Sequence, residues 1–356
     1  MKQVIINKDL CAEIVEVPIP QPGPHEVLVK VVVVGSNPKD WKYPVFWSDQ
    51  PVPSGDDIGG IVEAVGEGVY DLKKGDRVMT YRYYKTPTGG HAEYVIGYDF
   101  ITTKIPDNIS FEEVATIPLA GMTAVVGLYK TLRLPLPWAP ATKPIPLVVY
   151  GAATAVGAFA IKLARLSNIH PIIGVVGRAK DYAETLIDRS KGDDLVDYRN
   201  GNEAVVKGIK EALAKTGFES VEHVFDTVSE HGSVIDSAAV LSKTGRVTGV
   251  LPLSLEPKAA NLSKDVDWVL TMVSDVFEDQ WADGSEEKKQ GVITAPKELG
   301  YIFSRWFVRG LAEGWFKAHP YEVVPGGLNG VEGAVKDLKA GKASAVKYVF
   351  RVADTK

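Results

Sequence analysis

From Leu147 to Val250 the chain alternates short apolar runs with helical patterns, and this alternation limits the fold more than any other feature. Five strands are predicted, at Leu147–Tyr150, Pro171–Val176, Leu195–Tyr198, His223–Asp226 and Arg246–Val250. The helices predicted between them are Ala155–Leu166, Ala179–Ile187, Glu203–Lys215 and Ser233–Leu241. Such alternation is typical of a parallel sheet covered by helices. We therefore predict an α/β fold with a Rossmann-type, doubly wound parallel sheet.

The residues before about position 110 have a different pattern, which is β-rich. Apolar, β-branched runs at Val27–Val34, Ile58–Gly66 and Gly90–Ile96 are separated by turns that contain glycine. Turn signals at this spacing are typical of a small barrel or sandwich. The sequence before about residue 110 therefore predicts a β-rich domain that is distinct from the α/β part of the chain.

Several other segments have recognisable patterns. A helix is predicted at Phe111–Leu132, with Ser110 as N-cap and Glu113 completing a capping box. The segment Leu134–Pro146 contains five prolines, which exclude a helix or a central strand and predict a surface loop. Nearer the C-terminus we expect helices at Tyr301–Ala318 and Gly330–Lys339, a strand at Lys347–Val352 and a polar surface loop at Glu278–Gln290.

Composition argues against several classes of protein. Of the 356 residues, 24% are charged and the net charge is −5, so the chain lacks the basic field that a nucleic-acid-binding protein needs. The single cysteine, Cys11, excludes an intrachain disulfide and fits a reducing compartment. The N-terminus has no signal-peptide pattern, and no apolar stretch of about 20 residues stands out. We expect a cytoplasmic protein that binds neither membrane nor nucleic acid.

The turn Gly151-Ala-Ala-Thr-Ala-Val-Gly157 follows an apolar strand and opens a helix. Small residues let a ligand approach the backbone, and the helix N-terminus offers free N–H groups to a pyrophosphate. We expect Ala152, Ala153, Thr154, Ala155 and Val156 to hold a dinucleotide, with the Thr154 hydroxyl as an added donor. Because the motif departs from Gly-x-Gly-x-x-Gly, an ordinary strand–helix turn is the alternative.

The next strand ends in Gly177-Arg178-Ala179-Lys180. An NAD site places an acidic residue at this tip to hold the ribose 2′-hydroxyl, and none stands here. Arg178 and Lys180 instead offer the positive charge that a 2′-phosphate requires. The sequence therefore favours NADPH, and the alternative is a solvated basic turn.

The order of motifs resembles that of a medium-chain dehydrogenase/reductase. The resemblance covers nearly the whole chain and rests on Pro24–Val31, Gly35–Lys42, Gly59–Gly68, Lys74–Val78, Gly90–Tyr94 and the turn above. It implies a GroES-like catalytic domain from residues 1–120 together with 301–356, a Rossmann NADPH-binding domain from residues 121–300, and an active site in the cleft between them.

The zinc enzymes of that family carry a Cys and a Gly-His-Glu segment as metal ligands. This chain has Asn37 or a neighbour at the Cys position and Gly55-Asp56-Asp57 at the other. The four-cysteine structural lobe is absent as well. We therefore expect a zinc-independent enzyme in which the two aspartates only form a turn.

A fungal branch of the family is most similar, and it contains trans-acting enoyl reductases and the TOXD-like and CipB-like proteins. The shared segments are Asn37–Asp40, the proline-rich loop, Val196–Arg199 and Gly341–Lys347. One difference is Leu251, where reductases of the lovastatin type carry Asn. A polar contact to cofactor or substrate is then missing, which puts the specific activity in question.

The resemblance also implies roles for single residues. Lys42 and Thr123 are the expected catalytic residues, and Thr123 is expected beside nicotinamide and substrate. The residues expected to contact the cofactor are Lys39 and Lys42 on the loop after Asn37, Ala152–Val156, Gly177, Arg178, Lys180 and Tyr198 at the ribose phosphate, Val250 and Leu251 at the nicotinamide, and Ser344 and Ala345 closing over it.

Each of these assignments has a structural alternative. The alternative for Asn37 is a role in turning the chain only, and Thr123 can form a hydrogen bond to its own helix backbone. The Tyr198 side chain can simply pack against a sheet edge. Lys347 is interpreted as a surface strand residue rather than as an acid.

These features predict hydride transfer from NADPH to the β-carbon of an α,β-unsaturated carbonyl, either a small molecule or a carrier-tethered group. Lys42 would assist the enolate or supply its proton, and solvent is the alternative proton source. The competing hypotheses are a quinone reductase of the same family and an NADPH-binding sensor without catalysis. A monomer and a homodimer are both compatible with the sequence.

Overall fold

The computed structural model describes residues 1–277 and 296–356. The expected surface loop Glu278–Gln290 lies outside these residues. The described chain forms two compact units. The first contains residues 1–122, 274–277 and 296–356, and the second contains residues 123–273. The first unit is thus assembled from both ends of the chain. The assignment of catalytic and cofactor-binding domains to 1–120, 121–300 and 301–356 stays a prediction.

Sixteen strands occur within the described residues. They are β1 Lys2–Ile6, β2 Ala12–Glu16, β3 Glu26–Gly35, β4 Val52–Pro53, β5 Asp57–Val65, β6 Arg77–Tyr81, β7 Tyr94–Tyr98, β8 Thr103–Lys104, β9 Leu147–Tyr150, β10 Ile172–Val176, β11 Asp194–Asp197, β12 Val221–Asp226, β13 Leu241–Gly249, β14 Asp267–Leu270, β15 Tyr321–Val323 and β16 Lys347–Arg351.

Nine α-helices occur over the same part of the chain. They are α1 Lys39–Phe46, α2 Phe111–Val114, α3 Pro118–Val125, α4 Ala155–Leu166, α5 Lys180–Glu184, α6 Asn202–Ala214, α7 Ser233–Ala238, α8 Pro296–Glu313 and α9 Val331–Lys339. A π-helical segment, Val126–Thr131, follows α3 directly.

The second unit contains a six-stranded sheet in the order β11-β10-β9-β12-β13-β14. Every neighbouring pair is parallel. Strands β9 and β10 are buried along their full length, as expected for central strands covered on both faces. The predicted Rossmann-type sheet is therefore confirmed, and α4 has the predicted boundaries.

The first unit is built from β-strands. Seven strands form one sheet in the order β15-β16-β3-β5-β6-β8, with β7 also paired to β3, and β2-β1-β4 form a smaller sheet. The pairs around β3 are antiparallel. The prediction of a β-rich domain is confirmed, and β3, the longest strand at 10 residues, has neighbours from both ends of the chain.

Two predictions on local structure were wrong in part. The single helix expected at Phe111–Leu132 is interrupted before α3, because Pro118 has no N–H and disfavours helical backbone at the residue before it. The capping box at Ser110 is confirmed, since Ser110 Oγ accepts from the Glu113 N–H at 3.2 Å. The segment after Asn37, expected as a loop, is the helix α1.

One stretch, Phe111–Thr131, is long and apolar enough to cross a membrane by length and composition alone. This differs from the expectation that no such stretch exists. Of its most apolar window, 78% is buried inside the structure. A core helix of this kind meets the same criterion, so the stretch is weak evidence for a membrane span.

The core of the second unit depends on the inner face of α6. We expect Ile209→Ala, at a fully buried position of that helix, to lower the free energy of unfolding by about 2–5 kcal/mol, because it leaves a cavity. Urea unfolding followed by far-ultraviolet circular dichroism measures the change. The control is Lys210→Ala at the next, exposed position, where a change within about 0.5 kcal/mol is expected. Equal effects would contradict the assigned core.

Candidate functional site

The turn after β9 has the geometry of an anion-binding turn. Gly151 has a φ of +85°, and a Cβ at Gly157 would lie 2.2 Å from the Gly151 carbonyl oxygen. Both positions therefore require glycine. The N–H groups of Ala155 and Val156, at the start of α4, have no acceptor among the described residues. These two amides are available to an anion at the positive end of a 12-residue helix.

The Thr154 hydroxyl has a different task from the expected one. Its Oγ1 accepts a hydrogen bond from the Gly157 N–H at 2.9 Å, which caps α4. It also lies 2.9 Å from Thr227 Oγ1, which itself donates to the Tyr150 carbonyl at 2.8 Å. The Thr154 hydrogen therefore points to Thr227 rather than to a phosphate. Thr154 therefore shapes the turn, and its expected contact with a cofactor stays a prediction.

The tip after β10 combines an aromatic ring with two basic side chains. A Cβ at Gly177 would lie 2.4 Å from the Tyr198 ring, so the ring lies directly on the Gly177 backbone. Tyr198 is 46% exposed, and Arg178 and Lys180 are exposed too. The carboxylate of Asp197, beside this tip, is paired with Arg199, whose guanidinium holds the pKa of Asp197 down at about 2. The tip thus offers positive charge and a flat surface.

The second unit brings its predicted cofactor residues to one edge. Strands β9, β10, β11 and β13 are parallel, so their carboxyl ends meet at the same side of the sheet. The residues that follow these ends are Ala152–Val156, Gly177–Lys180, Tyr198 and Val250–Leu251. Val250 is anchored there, because its N–H donates to Ser229 Oγ at 2.9 Å. This edge is where open α/β sheets bind nucleotides.

The remaining expected residues lie on other elements. Thr123 is on α3 and is 5% exposed. Ser344 and Ala345 lie in the loop between α9 and β16 of the first unit. Ala345 has a backbone φ of +52°, which residues other than glycine rarely adopt. Their contacts with a cofactor stay predictions.

The first unit contains a group of buried charges that sequence reasoning missed. Asp56 and Asp57 are both fully buried, so the expectation that they only form a turn was wrong. Asp56 Oδ2 accepts from Lys39 Nζ at 2.6 Å, and Asp56 Oδ1 accepts from Arg82 Nη1 at 3.2 Å. Burial alone would raise the pKa of Asp56, but these two cations hold it below its ordinary value. Asp56 is therefore a carboxylate shared by two cations.

The neighbouring carboxylate has its own cation. Asp57 accepts hydrogen bonds from Lys347 Nζ, from Asn37 Nδ2 at 2.8 Å and from the Leu119 N–H at the start of α3. Lys347 also donates to Asn37 Oδ1 at 2.9 Å. Lys347 is 4% exposed, so its interpretation as a surface residue was wrong. Asn37 likewise does more than turn the chain, because it connects Lys347 to Asp57.

The two lysines of α1 have different environments. Lys39 keeps 30% of its side chain exposed, whereas Lys42 is only 6% exposed and lies 4.8 Å from the centre of the Trp41 ring. Both were expected on a loop, and both lie on the helix. Of the two, Lys39 is the one that solvent and small molecules can reach.

A small cavity lies beside this group. Its volume is about 20 Å³, which is room for one water molecule. Asp40 lines it and accepts from the N–H groups of Asn37 and Gly55. Burial, and then the nearby charge of Asp56, raise the pKa of Asp40 to about 6. Lys39, Tyr43, Ser54, Arg82 and Tyr84 also line the cavity.

A serine–histidine pair lies on the inner side of the cavity. Ser54 Oγ is 2.8 Å from His91 Nδ1. Burial lowers the pKa of His91 to about 4, so the imidazole is neutral at physiological pH. Ser54 and His91 thus add a neutral hydrogen-bonded pair next to the buried charges. No spacing in the sequence indicated this pair.

No three His, Cys, Asp or Glu side chains within the described ranges converge on a point where a metal ion fits. At the positions of the expected family ligands, the side chains are already occupied by hydrogen bonds within the chain. Both oxygens of Asp56 already bind cations of the chain itself, and Asn37 offers an amide that bonds Lys347.

Comparison with known proteins agrees with this architecture. Residues 23–107 match the model of the alcohol dehydrogenase GroES-like domain. The trans-enoyl reductase fsr4 of Gibberella fujikuroi is 42% identical over 334 residues, which cover 93% of this chain and 92% of that protein. The chain belongs to the medium-chain dehydrogenase/reductase family, in which this relative is a fungal trans-enoyl reductase. The resemblance stated from the sequence is confirmed.

Two solved structures show the same fold. The CurK enoyl reductase superposes with a TM-score of 0.74 at 20% identity, covering 98% of each chain. The mycobacterial protein Rv1454c, solved in complex with NADPH, gives a TM-score of 0.73 at 21% identity over 98% of this chain and 99% of the other. The GroES-like and Rossmann-type parts of the fold prediction are therefore confirmed.

The Asp57–Lys347 pair predicts a large effect of removing one partner. Lys347→Met leaves a buried carboxylate without its cation, so we expect a loss of about 3–5 kcal/mol in the free energy of unfolding. Adding Asp57→Asn should restore most of the lost free energy of unfolding, because the double variant has no uncompensated buried charge. Urea titration measures both variants. Lys342→Met, which removes an exposed ion pair with Asp337, is the control and should cost less than about 1 kcal/mol. A similar loss in the control would refute the assignment.

Proposed function

We propose that this chain is an NADPH-dependent, zinc-independent reductase that transfers hydride to the activated C=C bond of an α,β-unsaturated carbonyl compound. The observation that carries the proposal is the 42% identity, over nearly the full length of both chains, to a protein named as a trans-enoyl reductase. The acceptor is an enoyl or enone group, either in a small molecule or on a carrier-tethered thioester.

The carboxyl edge of the second unit suits NADPH. The free amides of Ala155 and Val156 at the start of α4 fit a pyrophosphate, and Gly151 and Gly157 keep the backbone open for it. Arg178 and Lys180 supply charge for a 2′-phosphate, and Tyr198 offers its ring beside them. We assign Val250 and Leu251 to the nicotinamide, and Thr123, Ser344 and Ala345 to its surroundings. When bound, the cofactor supplies the hydride.

The charges of the first unit support the proposed zinc independence. A metal ion at the family position would compete with Lys39 and Arg82 for Asp56. Two cations already neutralise that carboxylate, so a divalent ion would meet repulsion there. In the proposed reaction, stabilisation of the enolate would then come from hydrogen-bond donors and cations of the chain itself.

The activity is tested with purified chain, NADPH and three acceptors: an enoyl thioester such as crotonyl-pantetheine, a simple enone and a quinone. We expect oxidation of NADPH with the thioester or the enone, and a product two hydrogens heavier by mass spectrometry. Absorbance of the reduced nicotinamide follows the rate. Turnover of the quinone alone would favour a quinone reductase. Tight NADPH binding without turnover of any acceptor would favour the sensor.

Cofactor choice is tested at the tip after β10. We expect Arg178→Ala with Lys180→Ala to raise the dissociation constant for NADPH by about 10- to 100-fold, because charge-assisted hydrogen bonds to the 2′-phosphate are lost. The dissociation constant for NADH should change less than about threefold, because NADH has no 2′-phosphate. Nicotinamide fluorescence measures both. Lys207→Ala on α6 is the control, since that lysine is exposed on a helix surface. Equal weakening of NADPH and NADH would reject the assignment of this tip.

A further inference from the structure

A second, larger cavity lies in the second unit, at the end of the six-stranded sheet opposite to the predicted cofactor residues. Its volume is about 280 Å³, and its walls come from the segments that lead into β9, β10, β11 and β12. These strands are parallel, so the cavity lies at their amino ends. Strand β9 has four residues, so about 13 Å of strand separates the cavity from the turn after β9.

The proline-rich segment, for which the proposed function gives no role, forms one wall of this cavity. The Ala141 carbonyl accepts a hydrogen bond from Asn168 Nδ2 at 2.7 Å, and the Ile145 N–H donates to the His170 carbonyl at 2.8 Å. Residues 142–144, which lie between these two anchors, all line the cavity. The wall is thus fixed at both ends, and its prolines restrict the backbone further.

Two lysines that line the cavity have no partner in the part of the chain that the structure describes. Lys143 lies on the proline-rich wall and Lys191 directly before β11, and both are exposed. Neither ammonium forms a hydrogen bond or an ion pair with a described residue. The N–H groups of Thr142 and Lys143 likewise have no acceptor there. These donors are therefore available to a ligand.

A histidine of fixed orientation adds a further group. His170 lines the cavity, and its Nδ1–H donates to Asp193 Oδ1 at 2.7 Å. The Asp193 side chain is fully buried, whereas the His170 side chain is 12% exposed. A carboxylate on Nδ1 fixes the ring and leaves Nε2, which has no hydrogen-bond partner among the described residues. Nε2 can therefore donate to an anion when the ring is protonated.

The carboxylates near the cavity do not cancel these charges at its surface, because none of them is among the residues that line it. Asp193 also accepts from the N–H groups of Ile172 and Asp188, at 2.7 and 2.8 Å, so both of its oxygens are occupied. The Asp188 carboxylate accepts from Ser190 Oγ at 2.6 Å. Glu219 is exposed and lies outside the lining. The ionised side chains that line the cavity are thus the two lysines.

The rest of the lining is partly apolar, and this defines the ligand further. Phe218, Pro144 and Pro171 offer an aromatic ring and two flat pyrrolidine rings. A phosphate monoester carries a charge of about −1.5 to −2 at pH 7, which matches two ammonium groups better than the single charge of a carboxylate does. The volume equals that of roughly nine liquid water molecules, which is enough for a phosphate attached to one ring.

We propose that this cavity is a binding site for a small phosphate monoester with a flat or apolar body. Lys143 and Lys191 bind the phosphate, and Phe218 contacts the body of the ligand. This inference goes beyond the proposed function and does not depend on it. Because the cavity and the predicted cofactor residues lie at opposite ends of the same strands, the ligand binds together with the cofactor and does not replace it.

The test uses phenyl phosphate as the probe and isothermal titration calorimetry in the presence of saturating NADPH. We expect one site per chain in the wild type. Lys143→Met with Lys191→Met should raise the dissociation constant for phenyl phosphate by about 10- to 100-fold, because two charge-assisted hydrogen bonds are lost. Lys207→Met, which removes an exposed lysine of α6 in the same unit, is the matched control and should leave the constant unchanged.

A second double variant keeps the test independent of the cofactor assignment. Arg178→Ala with Lys180→Ala removes the charges assigned to the 2′-phosphate and should leave the affinity for phenyl phosphate unchanged. No binding to the wild type, binding that survives the loss of Lys143 and Lys191, or binding lost in this second variant would each overturn the proposal.

Two further measurements test the chemical class of the ligand. Phe218→Leu should weaken the binding of phenyl phosphate by about 3- to 10-fold and that of inorganic phosphate much less, because only the former has a ring to contact Phe218. Benzoate, with one negative charge, should bind at least about 10-fold more weakly than phenyl phosphate. Equal affinity for benzoate would refute the assignment of a phosphate.

A folding defect is separated by thermal unfolding. Both lysines are exposed and unpaired within the described ranges, so we expect the Lys143→Met, Lys191→Met variant to unfold at the wild-type temperature. Phenyl phosphate should raise the unfolding temperature of the wild type and of Lys207→Met, because it binds the folded chain, but not that of the double variant. An equal rise in all three proteins would contradict the proposed site.

Discussion

Two adjacent carboxylates, Asp56 and Asp57, are fully buried, and the structure around them depends on the cations they require. Asp57 begins β5 and Asp56 directly precedes it, and each aspartate has partners of its own. Asp56 obtains Lys39 from α1 and Arg82 from the end of β6, while Asp57 obtains Lys347 from the start of β16. These pairs fix α1, the strands beside it and the C-terminal strand relative to one another. A buried charge without its partner would cost several kcal/mol, so this arrangement has few alternatives.

Much of the second unit could be predicted from the sequence, because its strands and helices follow local patterns. The helix α4 was predicted with its observed boundaries, since Thr154 caps it and the apolar spacing is regular. The same reasoning failed at Phe111–Leu132, where Pro118 interrupts a continuous apolar pattern. Helix α1 was missed because it is only 8 residues long and contains Pro44, so no helical period stands out.

The chemistry of the first unit was less accessible, because it depends on contacts between distant parts of the chain. Asp57 and Lys347 are separated by 290 residues, and no spacing rule connects them. A lysine in a strand is usually exposed, so Lys347 was misread, and a pair of aspartates after glycine usually forms a turn. Their burial could have been suspected from one signal only, the apolar run of β5 that begins at Asp57 itself.

The way β16 is inserted into the sheet has a consequence for synthesis of the chain. It lies between β15 and β3, so a strand made among the last residues completes a sheet begun within the first 35. The second unit is continuous and can close while translation proceeds, since domains fold as units as they emerge. Glu26–Lys30 of β3 pair with β7 early in synthesis, whereas Val33–Gly35 on the same strand lack their partner in β16 until Val349–Arg351 has been made. An unpaired strand edge is prone to pair with another chain, so this three-residue segment at the end of β3 is open to such pairing until β16 takes its place.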